Sequence, residues 1–126
     1  MKIKYINHSG FIIENGDCAV MVDCCGLTKD SEAVRECTGK YLYILASHVH
    51  GDHFDPGIFS LEGDRSKFIL SADIREKAPR FIDAFYMIKG DVYTDERIKI
   101  KAYGSTDEGV SFYMKPAVIK FSMPAT

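Results

Sequence analysis

The chain has no tryptophan, only four histidines and only four prolines among 126 residues. It has no excess of basic charge. Lys and Arg total 16 against 18 Asp and Glu, giving a net charge of −2 and a pI near 6.1. A nucleic-acid surface normally shows a basic stripe, so a nucleic-acid partner is not expected. No 18-residue apolar run is present, which argues against a membrane-spanning helix. The opening Met1-Lys2-Ile3-Lys4-Tyr5 lacks the apolar core of a signal peptide. The cysteines Cys18, Cys24, Cys25 and Cys37 form no C-x-x-C pair. Without an export signal they are expected to be reduced, buried thiols of a cytoplasmic protein. A metal-ligand role for Cys24 or Cys25, next to Asp23, is the minor alternative.

What is present is concentrated. Three of the four histidines fall in His48-Val49-His50-Gly51-Asp52-His53, with a carboxylate among them. The run follows Tyr41-Leu42-Tyr43-Ile44-Leu45-Ala46, an apolar stretch that reads as a buried strand. Imidazole nitrogen and carboxylate oxygen are ligands for zinc, iron or manganese. On extended backbone a His-x-His pair points both rings to one side. A lone loop histidine is usually just solvated, but three in six residues beside an aspartate predict a metal site.

The flanking pattern is that of one α/β domain. Hydrophobic residues make up 46% and charged residues 27%, ordinary values for a globular chain. Short strands are expected at 2–6, 10–14 and 18–22, with Asn15-Gly16 as a hairpin turn. A surface helix is expected over 28–37, with Ser31 as its cap and Gly39 after its end. Pro56 opens a short helix capped by Asp55. Further strands are expected at 66–70, 84–88, 97–103 and 110–114, with a short helix near 73–77. Tyr5, Tyr41, Tyr43, Phe54 and Phe59 are expected in the core or at its rim.

His48-x-His50-x-Asp52-His53 resembles the signature of the metallo-β-lactamase-fold hydrolases. Val22-Asp23 is similar to that family's strand ending in an aspartate near the metals. The segment 104–112 resembles one found in small bacterial members. The likeness runs over residues 1 to about 114 and implies the N-terminal half of an αββα sandwich, a mixed β-sheet with flanking helices. It implies His48 and His50 as ligands of one metal, Asp52 and His53 as ligands of a second, and Asp52 as the catalytic residue that orients the attacking water. It implies zinc first, with manganese or iron as alternatives, and up to two ions when the site is complete. Asp23 is expected either to hydrogen-bond a ligand imidazole from behind or simply to cap local backbone. His8-Ser9 could line the pocket, although a structural role in a turn is favoured, and Ser105, Thr106 and Asp107 are expected to close a turn. The family's three remaining ligands have no counterpart here. The expected function is therefore a truncated metal-dependent hydrolase acting on a small ester, lactone or phosphate. The alternative is an inactive half-domain that self-associates, as a homodimer through an exposed sheet face or edge. A nuclease is a weaker third reading, opposed by the acidic balance.

Residues 115–126 depart from the resemblance. Read one base out of frame, codons that fit Lys120 to Ala125 allow an apolar pair followed by His-Ala-Gly-Asp. That is similar to the segment carrying the family's third histidine. The expectation is a frameshifted tail. The alternative is a genuine short protein in which 117–121 forms a last strand.

Overall fold

The computed structural model describes residues 2–7, 10–49, 54–104 and 110–116. Two sheets form the scaffold. In the larger one the strands run in chain order: β1 (Lys2–Asn7), β2 (Gly10–Asn15), β3 (Cys18–Val22), β4 (Tyr41–Ala46), β5 (Ser66–Ser71) and β6 (Ala84–Met87). β1, β2 and β3 are an antiparallel meander, whereas β3 to β6 are parallel. The turn from β2 to β3 is tight because Gly16 adopts φ 64°, a conformation that costs glycine little. The smaller sheet orders β7 (Val92–Thr94), β8 (Ile98–Gly104) and β9 (Val110–Pro116), all antiparallel.

Parallel strands that are neighbours both in sequence and in space need crossover connections. Because such crossovers share one hand, they fall on one face of the sheet. That face carries α1 (Glu32–Arg35) and two 3₁₀ helices, Pro56–Leu61 and Ala72–Lys77. The other face is left for the small sheet. Strand alternation divides the core accordingly. Ala19, Met21, Leu42, Ile44, Phe68 and Leu70 pack with Ile58, Phe59 and Ile74 on the helical side. Val20, Val22, Tyr43, Leu45 and Ile69 pack against Ile98, Ile100 and Ala102 of the small sheet. A strand covered on both faces must be apolar at every position. This is why Tyr41–Ala46 is an unbroken apolar run rather than an alternating one.

Several local expectations shift. The helix expected over 28–37 contracts to Glu32–Arg35. Ser31 stands at its N-cap but makes no side-chain cap bond; its Oγ instead accepts the Thr28 N–H at 2.9 Å. Asp55 does cap its helix, accepting the Gly57 N–H at 3.1 Å. The strand β7 was not expected. β9 continues to Pro116, past the expected end at 114. Ile98 and Ala102 bond toward the β7 side, so the alternate residues of β8 face β9. In the register Ile98↔Pro116, the missing Pro116 N–H would point off the sheet, so proline costs no ladder bond there. Cys24 and Cys37 are buried as expected, but Cys18 and Cys25 are only half-buried, and all four are free thiols. Tyr43, Phe54 and Phe59 are core residues, whereas Tyr5 is 76% exposed. No helix among the described residues is long and apolar enough to cross a membrane. The tail 117–126 and its expected frameshift lie outside the described residues, as do His8, Ser9 and 105–109.

One polar knot ties the sheets together. Asp95 Oδ2 accepts the hydroxyls of Tyr43 (2.8 Å) and Tyr93 (2.9 Å). Its Oδ1 accepts the N–H groups of Arg97 (2.8 Å) and Ile98 (3.0 Å). Burial alone would raise its pKa, but these four hydrogen bonds outweigh it and hold the carboxyl below the ordinary value. This stability is complete above about pH 4 and is lost as pH falls through the depressed folded value. Asp95→Asn is expected to weaken the fold at pH 7 and to flatten the loss of stability in acid. Urea unfolding at pH 7 and pH 3 checks this; a variant as acid-sensitive as the parent contradicts it. Ile69, fully buried between the sheets, should cost about 3–4 kcal/mol when cut to alanine, read from the same unfolding curves.

Candidate metal centre

The parallel register brings three strand ends together. Val22 pairs with Leu45, and Ala46 pairs with Leu70. Asp23, Ser47-His48 and Ser71-Ala72-Asp73 therefore leave the carboxyl ends of β3, β4 and β5 side by side. In open α/β sheets this edge is where ligands bind.

Asp23 is the first residue past β3 and is 6% exposed. Its N–H extends the ladder to the Leu45 carbonyl at 2.9 Å. Its φ of 52° is left-handed, a region that aspartate tolerates better than most residues. Beyond that ladder bond the carboxylate reaches across to the end of β4. Oδ1 accepts the Ser47 N–H at 2.7 Å, and Oδ2 accepts the Ser47 hydroxyl at 2.6 Å. Ser47 Oγ in turn lies 2.9 Å from His48 Nδ1.

The proton count along this relay orients the imidazole. A serine hydroxyl has one proton, and an ionised carboxylate can only accept. With that proton given to Asp23, Ser47 Oγ can only accept from His48 Nδ1–H. A neutral ring then carries its proton on Nδ1, which makes Nε2 its lone-pair nitrogen. This is the arrangement metal-binding histidines use, with the other ring nitrogen hydrogen-bonded from behind. Asp23 thus holds the Ser47 backbone from an adjacent strand and reaches His48 only through the Ser47 hydroxyl.

Of the four expected ligands, the structure describes His48, half-buried at the strand end. His50, Asp52 and His53 lie outside the described residues. Among the described residues there is accordingly no group of three or more metal-ligating side chains. Cys24 does not join the site. It belongs to the core beneath the helices, its Sγ lies 3.5 Å from the Phe11 carbonyl, and burial pushes its thiol up to about 12. A thiol that stays protonated is a poor metal ligand.

Two residues at this edge were not singled out in the sequence. Ser47 gave a faint signal by standing directly before the His-x-His pair. Asp73 read only as the start of a helix. In the structure its Oδ2 accepts the Val49 N–H at 3.3 Å. The cavity near 620 Å³ lined by Ile13, Val20, Ile98 and Met114 opens elsewhere, by the amino end of β3.

No family model matches the chain. A UPF0173 metal-dependent hydrolase of Desulforamulus reducens is 38% identical over 58 residues, which cover 46% of this chain and 25% of that protein. A second UPF0173 metal-dependent hydrolase, from Nanoarchaeum equitans, is 29% identical over 118 residues, covering 94% of this chain and 45% of that protein. The chain thus spans less than half the length of the curated relatives it matches. Among solved structures, Igni18, a metallo hydrolase from Ignicoccus hospitalis, superposes with a TM-score of 0.64 at 15% identity, over 92% of this chain and 56% of the other.

The relay makes a direct prediction. The neutral His48 ring should be the Nδ1–H tautomer, and Ser47→Ala should release it toward Nε2–H. Long-range ¹H–¹⁵N spectra of the imidazole nitrogens check this. An Nε2–H ring in the parent would contradict the relay.

Proposed function

We propose that this chain, which has the fold of the N-terminal half of a metallo-β-lactamase-type domain, is the metal-holding part of a metal-dependent hydrolase. The observation that carries the reading is the Asp23–Ser47–His48 relay at the carboxyl ends of β3 and β4. It hydrogen-bonds His48 through Nδ1, at the head of a His-x-His-x-Asp-His run. His48 and His50 would hold one divalent ion, zinc first, and Asp52 and His53 a second. Both relatives matched in sequence are metal-dependent hydrolases by name, which supports the same reading. When bound, such ions polarise a substrate oxygen and make water acidic enough to attack near neutral pH. The chain's own groups supply the rest. Asp23, through Ser47, keeps the His48 ring from rotating and holds its proton on Nδ1. Asp52 would be the carboxylate that orients the attacking water. A small ester, lactone or phosphate is the substrate class proposed.

A second reading, a self-associating half-domain with weak or no metal binding, is favoured by one region of the surface. Ile3 and Tyr5 are 62% and 76% exposed and pair with Ile13 and Phe11 on the face turned toward the small sheet. Beside that strip, no strand among the described residues pairs with the outer edge of β9. Phe112 and Met114 lie on the side of the register whose main-chain groups point off that edge. Open edges and apolar strips of this kind drive association, and a second copy of the chain is the occupant proposed.

Metal content of the purified protein tests the first reading. At least one zinc, iron or manganese per chain is expected, lost in the His48→Ala, His50→Ala double variant. Metal at the variant's background level overturns it. Light scattering coupled to size exclusion tests the second: a dimer is expected, and a stable monomer at high concentration overturns it.

A further inference from the structure

The chain leaving β4 is held from both sides. From the β3 side, Asp23 grips Ser47 through its N–H and its hydroxyl. From the β5 side, Asp73 Oδ2 takes the N–H of Val49. His48 lies between these two holds. Asp73 stands in the first turn of the 3₁₀ helix Ala72–Lys77, yet its hydrogen bond is not to that helix. It reaches 24 residues back along the chain, to the backbone between His48 and His50.

The other oxygen of the same carboxylate is unsatisfied. Asp73 Oδ1 is buried and has no hydrogen-bond partner, and it is the one such side-chain atom among the described residues. A buried acceptor without a donor destabilises the folded chain, more so when it is charged. Asparagine would keep an acceptor for Val49 without the charge. The carboxylate is therefore out of place in a merely structural position, and in place beside a cationic centre.

We propose that Asp73 is a positioning residue of the metal centre. Oδ2 fixes the backbone between the first two histidines, and Oδ1 is completed by a hydrogen-bond donor only when the metal-loaded site is assembled. The inference rests on the metal-binding reading above. It adds a residue from just past β5 to a site otherwise built at the ends of β3 and β4. Carboxylates that back up metal ligands in this way typically change metal affinity by about ten- to a hundredfold.

The signature is a pair of opposite effects. Asp73→Asn replaces the unpartnered carboxylate oxygen of the metal-free protein and removes the completing acceptor from the loaded one. Zinc affinity, by competition with a chelating dye, should fall about ten- to a hundredfold, and the absorption bands of the cobalt(II)-loaded protein should shift. The melting temperature of the metal-free variant should equal or exceed that of the parent. Glu76→Gln, at an exposed residue of the same 3₁₀ helix, serves as the control and should change neither. Unchanged zinc affinity in Asp73→Asn overturns the inference. Weakened affinity with a lowered metal-free melting temperature also overturns it, because that is the mark of a structural residue. A parent protein that binds no metal fails at the earlier step and removes the metal-binding reading together with this one.

Discussion

The parallel ladder from β3 through β4 to β5 is the constraint on which everything else depends. Its register sets Val22 beside Leu45 and Ala46 beside Leu70. Those pairings fix where each strand ends, and the strand ends are the site. Burial on both faces allows no alternative register. A shift by one residue would turn Leu42, Ile44 and Ala46 from the helical side to the inter-sheet side and exchange them with Tyr43 and Leu45. Tyr43 would then lose Asp95, and Asp23 would no longer meet Ser47.

Three aspartates stand at the two ends of this apolar ladder. At one end Asp95 gathers two tyrosine hydroxyls and two main-chain N–H groups, and so couples β4 to the hairpin of the small sheet. At the other end Asp23 and Asp73 hold the chain as it leaves β4. The chemistry differs in kind. Asp95 has every oxygen satisfied by the protein and serves the fold. Asp73 keeps one oxygen buried and unsatisfied, the pattern of a group whose partner arrives with function.

Much of the scaffold was legible in the sequence because its signals are local. The apolar run 41–46 marks a strand covered on both faces, Asn15-Gly16 marks a hairpin, and Asp55-Pro56 marks a capped helix start. The long helix expected over 28–37 was not formed at that length. Its apolar positions, Ala33, Val34 and Cys37, are too sparse to hold more than a short turn against the sheet. The strand β7 escaped notice because three residues carry little periodicity of their own. It is held instead by pairing with β8.

The site divides in the same way. The sequence by itself determined which residue types are clustered. Three histidines and an aspartate within six residues are a covalent fact, and so is a carboxylate at the end of β3. Tertiary structure alone decided what stands behind them. Ser47 is an ordinary serine until parallel pairing lays it against Asp23, 24 residues away, with His48 Nδ1 on the other side of its hydroxyl. Asp73 is an ordinary helix-start aspartate until β5 pairs with β4 and brings its carboxylate to Val49. The candidate ligands are written along the chain because neighbours in sequence can share a loop. Ligand support is not, because the groups that orient a ring from behind must come from adjacent strands, and adjacency in a parallel sheet is set by crossovers of many residues.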